Sequence, residues 1–252
     1  MGGRVKLTVV GCAPAWTRRP GRVSSCYLVE HEGRAIVLDL GQGAFAELAR
    51  YRGPDTVDGV LISHLHADHL VDLVPLRHYL KYEATGAKAL ALHGPRDLRD
   101  RLDSLCGEEG FLAGLTGEPL APGRFEIAGF EVEARRVTHI PDSFAFRVSV
   151  PGSGGAGLVY SGDCGRADDL LPLVRRGDVL LCEAAFGGDT GMAGIHLTAA
   201  EAARIAAGSG ARQLILTHLL DRSDGVRAGE AAASVFGGQL VMAEPGLEVS
   251  VA

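Results

Sequence analysis

The chain has 252 residues, of which 46% are hydrophobic and 22% charged, so it can bury a sizeable core and is not a low-complexity sequence. Its formal net charge of −6 argues against a protein whose main task is to grip nucleic acid, although local arginine clusters are compatible with that task. The five cysteines are odd in number and contain no C-x-x-C pair, so we expect no disulfide framework and a cytoplasmic location. The apolar run 7–10 is too short for a signal core or a membrane span.

Short apolar segments alternate with helical ones along the first half. The pattern predicts strands at 6–10, 26–30, 35–40 and 57–63, and helices at 44–51 and 70–81. The strand at 57–63 leads directly into a histidine-rich segment.

The second half is richer in predicted strands. Residues 130–134 alternate as a half-buried strand does, and 144–150 can pair with 157–161 across a glycine-rich loop. Further strands are expected at 179–182, 213–217, 239–243 and 247–251, and Thr198 with Glu201 forms a capping box that opens a helix ending near residue 208. We see no linker, so we expect a single domain over 1–252, of the α/β (α+β) class, with two sheets and helices outside.

A cluster of ligand-type side chains follows the strand at 57–63. The segment His64-x-His66-x-Asp68-His69 places four such residues within six positions, although the chain has only nine histidines. Imidazole and carboxylate together suit zinc, and also manganese or iron. A polar loop that happens to be rich in histidine is the alternative.

Three further ligand-type residues stand singly at the ends of later strands, namely His139, Asp163 and His218. Each alone is typical of an ordinary loop residue. Together with the cluster they make seven, and two neighbouring divalent cations need about that number, including a carboxylate able to bridge. The sequence therefore predicts a site for two divalent metal ions.

The motif H-x-H-x-D-H, the later histidine, the Gly-Asp pair and the final Thr-His resemble the metallo-β-lactamase superfamily over essentially the whole chain. This resemblance implies an αββα sandwich, with two mixed sheets flanked by helices. It also implies the ligand set of each ion: one ion held by His64, His66 and His139, the other by Asp68, His69 and His218, with Asp163 between them and Asp39 supporting the cluster from behind. Two cations that share one water lower its pKa and can supply a bridging hydroxide near neutral pH.

Glu183 and His196 lie in the segments C-E-A-A-F and I-H-L-T. These are similar to segments of ribonuclease Z and related phosphodiesterases, in which the histidine reaches the scissile phosphate and the glutamate orients it. The resemblance makes Glu183 and His196, with Asp68, the candidate catalytic residues. A solvated strand-end acid and a surface histidine at a helix start are the alternatives.

Several features narrow the substrate. An aspartate stands where the commonest true β-lactamases have a bridging cysteine, and the chain ends too soon after His218 for the extra helices of glyoxalase-II-like thioesterases. The long tRNA-gripping arm of ribonuclease Z is missing from 140–162. The pattern resembles small bacterial proteins of this superfamily linked to cleavage of cyclic nucleotides.

We therefore expect a zinc-dependent phosphodiesterase that acts on cyclic nucleotides or other small phosphodiesters. A ribonuclease Z-like tRNA 3′-processing endonuclease, a lactone or ester hydrolase and a non-catalytic scaffold stay open as alternatives, as does a homodimer. No membrane partner is expected.

The roles of some other residues stay open. The loop with Trp16 and three arginines could contact a phosphate or a base, or could be solvated, and Cys164 could pack or add a soft metal ligand. The loop arginines are Arg18, Arg19 and Arg22. A second arginine group, at 96, 99 and 101, predicts an exposed helix surface.

Overall fold

The computed structural model describes residues 5–84, 89–151, 155–188, 194–221, 223 and 225–251. Within these ranges, the first sheet contains β1 (Lys6–Gly11), β2 (Cys26–His31), β3 (Arg34–Leu38), β4 (Gly59–Leu61), β5 (Ala91–His93) and β13 (Glu248–Ser250). The second sheet contains β6 (Gly123–Ile127), β7 (Phe130–Arg136), β8 (Phe144–Ser149), β9 (Leu158–Tyr160), β10 (Val179–Glu183), β11 (Gln213–Thr217) and β12 (Gln239–Met242). The helices are α1 (Ala44–Leu48), α2 (Ala67–Leu70), α3 (Leu73–Tyr82), α4 (Leu98–Cys106), α5 (Ala199–Ser209) and α6 (Gly225–Ala233).

Both sheets are mixed. The first has the order β13-β1-β2-β3-β4-β5, antiparallel from β13 to β3 and parallel from β3 to β5. The second has the order β12-β11-β10-β9-β8-β7-β6, parallel from β12 to β9 and antiparallel from β9 to β6. The pairing of β8 with β9 confirms the hairpin expected at 144–161.

The core has three layers of apolar contact. Inward side chains of both sheets, such as Leu38 and Phe146, pack against each other in the middle. The outer face of the first sheet is covered by residues of α1, α3 and α4, and that of the second by residues of α5 and α6. Each sheet therefore has helices on its outer face, which confirms the expected αββα sandwich.

The structure corrects several predicted boundaries. The strand expected at 35–40 ends at Leu38 because Asp39 adopts a left-handed φ of 58°, which no strand residue can hold. The helix expected at 70–81 is two helices, and the first begins already at Ala67, so Asp68 and His69 lie in its opening turn. The helix expected at 44–51 ends at Leu48.

Three of these strands and helices were not predicted, namely β5, β6 and α6. The helix surface predicted at Arg96, Arg99 and Arg101 is confirmed in part, because α4 contains Arg99 and the exposed Arg101. Arg96 precedes α4, and Arg99 is tied to the chain because its guanidinium donates to the carbonyls of Leu112 and Leu115 at 2.7 and 2.9 Å. Among the residues described, no helix is long and apolar enough to cross a bilayer.

Candidate metal centre

The histidine-rich segment turns sharply after β4. Ser63 donates its backbone N–H to Asp39 Oδ1 at 2.6 Å, which fixes the start of the turn. His66 is still extended, and α2 starts at the next residue. This change from strand to helix within a few residues aims His64, His66, Asp68 and His69 at one region, as the sequence pattern predicted.

The structure brings the seven predicted ligand residues into two clusters that share Asp163. The first cluster contains His64, His66, His139 and Asp163. His66 Nδ1 lies 3.0 Å from His64 Nε2 and 3.1 Å from His139 Nε2. Asp163 Oδ2 lies 3.6 Å from the Nε2 atoms of both His64 and His139.

The second cluster contains Asp68, His69, His218 and Asp163. Asp68 Oδ2 lies 3.4 Å from His69 Nε2 and 3.2 Å from His218 Nε2. Asp163 Oδ1 lies 3.4 Å from His69 Nε2 and 3.5 Å from His218 Nε2. One carboxylate oxygen of Asp163 therefore faces each cluster.

These separations fit a cation at the centre of each cluster. Ligand atoms about 2.1 Å from a tetrahedral zinc ion lie about 3.4 Å from one another. Two of these atoms, His69 Nε2 and Asp163 Oδ1, are buried without a hydrogen-bond partner among the described atoms. Buried polar atoms are nearly always satisfied, and a cation between these two would satisfy both. Both clusters are suited to binding metal ions.

The outer nitrogens of three histidines face hydrogen-bond acceptors, so that in the neutral form of each ring the proton lies on the outer nitrogen and the inner nitrogen can bind a metal. His69 Nδ1 donates to Asp39 Oδ2 at 2.6 Å, and His139 Nδ1 donates to the Ile195 carbonyl at 2.8 Å. His64 Nδ1 lies 3.0 Å from Ser63 Oγ. Such partners typically orient metal-binding imidazoles and keep them in the ligating tautomer.

Charge and burial shift the protonation of both clusters. Burial lowers the pKa of His64, His66 and His139, so these rings are neutral and can ligate. Burial alone would raise the pKa of Asp163, but the histidines at 218 and 69 hold it well below its usual range. The first cluster thus presents neutral imidazoles beside an ionised carboxylate, which are the protonation states that metal binding requires.

Asp39 connects the two sheets directly behind the clusters. Its carboxylate accepts hydrogen bonds from Ser63, His69 and Tyr160 and is fully buried. Asp39 was expected to support the ligands, and its contact with His69 agrees with that expectation.

Glu183 and His196 form a pair at the edge of the clusters. His196 Nδ1 donates to Glu183 Oε1 at 3.0 Å, and the Nδ1 atom lies 3.9 Å from Asp163 Oδ2. Glu183 is buried and also accepts the backbone N–H groups of Cys164 and Ala185 at 2.9 and 3.0 Å. It is therefore not a solvated strand-end acid.

The protonation of His196 is set by this pair. Burial by itself lowers the pKa of His196, but Glu183 and Asp163 raise it above its ordinary value. The side chain keeps 19% of its surface exposed, so the ring is reachable from outside. The imidazole of this pair therefore tends to be protonated, and part of its ring is exposed at the edge of the clusters.

Cys164 packs instead of adding a ligand. Its Sγ lies 3.1 Å from the Arg166 carbonyl, and burial raises the pKa of its thiol to about 12. It belongs to neither cluster. Of the two alternatives left open by the sequence, the structure favours packing.

A cavity of about 470 Å³ opens beside His218. One wall is the loop at 14–22, which is tied to the chain after β11: Asp221 accepts Thr17 Oγ1 at 2.9 Å and the Arg18 N–H at 2.6 Å. Arg19 lies near Asp221 at 3.6 Å. The sequence contains no local signal that singles out Asp221, because Thr17 and Arg18 lie 204 and 203 residues away from it.

The two other arginine-loop residues have different positions. Arg22 lines the same cavity and lies 3.6 Å from Glu244, whereas Trp16 is 53% exposed and is not among the cavity-lining residues. Arg19 and Arg22 are therefore the cations of this loop that face the space beside the clusters.

The sequence profile of the β-lactamase superfamily domain matches residues 34–219, which is more than half of the chain. The chain belongs to this superfamily. An uncharacterised protein of Mycobacterium leprae is 35% identical over 229 residues, which cover 85% of this chain and 78% of the relative. Ribonuclease Z of Halobacterium salinarum is 27% identical over 296 residues, covering 96% of this chain and 94% of the relative.

A comparison with a crystal structure of another protein also indicates the metallo-β-lactamase fold. The metallo-β-lactamase fold protein YhfI of Bacillus subtilis superposes with a TM-score of 0.86 at 25% identity, covering 98% of this chain and 99% of that one. The family, the fold and the two clusters together make the chain a metallo-hydrolase of the β-lactamase superfamily.

Proposed function

We propose that the chain is a zinc-dependent phosphodiesterase that acts on cyclic nucleotides or other small phosphodiesters. The observation that carries this proposal is the buried Glu183–His196 pair beside the double cluster. A lactone or ester hydrolase also needs the cations, but a phosphodiester offers in addition charged phosphoryl oxygens to which a protonated imidazole can donate. A ribonuclease among the relatives also supports the phosphodiester as the bond that is cleaved.

In this proposal each cluster holds one divalent cation. His64, His66 and His139 would hold the first cation, and Asp68, His69 and His218 would hold the second. Asp163 lies between the two clusters with one carboxylate oxygen facing each. When bound, such a pair of cations supplies Lewis acidity, which activates water and offsets the charge that builds on a phosphoryl group.

The protein residues then supply orientation and a proton. Glu183 holds His196 through Nδ1, which leaves Nε2 to donate to a phosphoryl oxygen or to the leaving oxygen. Because the carboxylate of Glu183 raises the pKa of His196, a larger fraction of the rings carries the proton near neutral pH. Glu183 is itself held by two backbone N–H groups, so the pair is rigid.

The cavity beside His218 supports a small substrate. Its volume of about 470 Å³ falls within the roughly 300–1,000 Å³ typical of small-molecule pockets. Arg19 and Arg22 on its wall place positive charge in the cavity that His218 also lines, where a phosphate or the group attached to it would lie. Their pairing with Asp221 and Glu244 limits the charge that is left for a long polyanion.

The hairpin at 144–160 gives no support to tRNA binding. Strands β8 and β9 pair directly, and Arg147 on β8 is buried and paired with Asp178 at 2.8 Å. Arg147 therefore stabilises the fold and cannot reach an RNA phosphate. An enzyme for tRNA needs cations that grip phosphates well away from the scissile bond.

A substrate panel tests the reaction class. The protein, reconstituted with Zn²⁺, Mn²⁺ or Fe²⁺ in parallel, is expected to hydrolyse 3′,5′-cyclic AMP and bis(p-nitrophenyl) phosphate with kcat/KM far above that for a lactone or a thioester. Zn²⁺ is expected to give the highest activity. A lactone cleaved faster than every phosphodiester with each metal would overturn the proposal.

A further inference from the structure

Two tyrosines cross between the sheets directly behind the second cluster. Tyr27 belongs to β2 in the first sheet and Tyr160 to β9 in the second, and both are fully buried. Their ring centroids lie 4.9 Å apart. The proposed catalytic chemistry uses neither side chain, yet a buried phenol needs a partner and both hydroxyls have one.

Each hydroxyl bonds to the opposite sheet. Tyr160 Oη donates to Asp39 Oδ2 at 2.6 Å, and Tyr27 Oη lies 2.7 Å from Thr217 Oγ1. Asp39 follows β3 of the first sheet, and Thr217 ends β11 of the second. The two bonds therefore run in opposite directions across the interface between the sheets.

The residues at the far ends of these bonds position the two histidines of the second cluster. Asp39 Oδ2 accepts His69 Nδ1 at 2.6 Å, and Thr217 directly precedes His218 in the chain. Asp39 and His218 both have left-handed backbones, with φ of 58° and 59°. This conformation is uncommon for a non-glycine residue, and at both positions it directly follows a strand that leads to the second cluster.

The first cluster has its own direct partners, and it is linked to Asp39 only through one further residue, because Ser63 Oγ also donates to Asp39 Oδ2 at 2.7 Å. His64 Nδ1 faces Ser63 Oγ and His139 Nδ1 faces the Ile195 carbonyl. Among the described contacts, neither tyrosine hydroxyl touches a side chain that bonds to His139. The tyrosines thus act on one cluster more directly than on the other.

We propose that Tyr27 and Tyr160 are positioning residues that set the affinity of the second cluster for its cation, by fixing His69 through Asp39 and His218 through Thr217. This inference rests on the dinuclear site of the proposed function. Removing the Tyr160 hydroxyl is expected to loosen His69, and removing the Tyr27 hydroxyl to loosen His218. The packing of the two rings between the sheets should stay in place.

The test uses Tyr160→Phe and Tyr27→Phe, with Tyr79→Phe as the matched control. Tyr79 also bonds a carboxylate, Asp55 at 3.2 Å, but on α3 outside both clusters. Stepwise Co²⁺ and Zn²⁺ binding is measured by visible absorption and by competition with a chromophoric chelator. A His139→Ala variant, which lacks a first-cluster ligand, identifies which binding step belongs to which cluster.

Tyr160→Phe is expected to lower the affinity of the second cluster for its cation by roughly 10–100-fold, the usual effect of removing a group that orients a metal ligand. Tyr27→Phe should lower it by a smaller factor. The first-cluster step should change much less, because Tyr160 reaches His64 only through Asp39 and then Ser63. Equal weakening of both steps, or no weakening, would overturn the inference.

The outcome is separable from that of the proposed function because no turnover is measured. A protein that binds two cations and shows the selective loss, but cleaves no phosphodiester, overturns the function alone. A wild-type protein that holds a single cation overturns both. Thermal unfolding of the metal-free variants checks that the tyrosine changes leave the fold intact.

Discussion

Replacing Asp163 by alanine or by asparagine is expected to reduce the bound cations from two per chain to at most one. The reason is that one oxygen of Asp163 faces each cluster, at 3.6 Å from His64 Nε2 and 3.4 Å from His69 Nε2. An asparagine retains one oxygen and can therefore serve only one cation. The loss of affinity should exceed the roughly 10–100-fold produced by removing a partner behind a ligand.

Elemental analysis and chelator competition measure this result, and phosphodiester turnover should fall with the lost cation. Asp72→Asn is the control. Asp72 is a half-buried carboxylate that follows the ligand segment 64–69 in sequence, accepts the Phe45 N–H and belongs to neither cluster. It should keep both cations. Two cations retained at unchanged affinity in Asp163→Ala would refute a shared carboxylate.

The second large effect is expected for His196. His196→Ala should keep both cations and lose roughly 10²–10⁴-fold in kcat, the range for a positioned acid–base group. His196 contacts Glu183 at 3.0 Å and lies at the edge of the clusters, so its loss removes a proton donor and leaves the ligands in place. Steady-state kinetics on metal-replete protein measures the change.

Glu183→Gln separates positioning from proton donation. Glu183 raises the pKa of His196, so the amide should let that pKa fall. If protonated His196 is the active form, activity is lost as pH rises through its pKa, and the alkaline limb of the pH profile should move to lower pH. Full kcat in metal-replete His196→Ala would return the pair to a structural role.

The ligand residues could be predicted from sequence because their signal is local. His64, His66, Asp68 and His69 stand within six positions after a strand, and later residues such as His218 also follow strands. Strands that end at one edge of a sandwich bring their next residues together. The two-cluster arrangement followed from this pattern and from the family resemblance.

The supporting contacts could not be predicted in the same way. Tyr160 and Asp39 are 121 residues apart, and Tyr27 and Thr217 are 190 apart. No periodicity specifies which buried hydroxyl meets which acceptor across two sheets. The available signal was weak: a tyrosine inside an otherwise apolar strand requires a polar partner somewhere in the fold.

Some predicted strand ends were wrong because they also depend on contacts between residues far apart in the sequence. Asp39 ends β3 with a left-handed φ that only its surroundings explain, although residues 35–40 read as one apolar strand. The short strand β5 is placed by its parallel pairing with β4, and that long-range pairing has no local signature.

The proposed function is tested most directly by kcat/KM for cyclic AMP and for a pre-tRNA, measured side by side at fixed salt on protein of equal metal content. The cavity beside His218 and the buried Arg147 favour a small diester, so cyclic AMP or another small diester should be cleaved and pre-tRNA processed little or not at all. Pre-tRNA cut faster than every small diester would contradict the proposal and favour the tRNA-processing alternative.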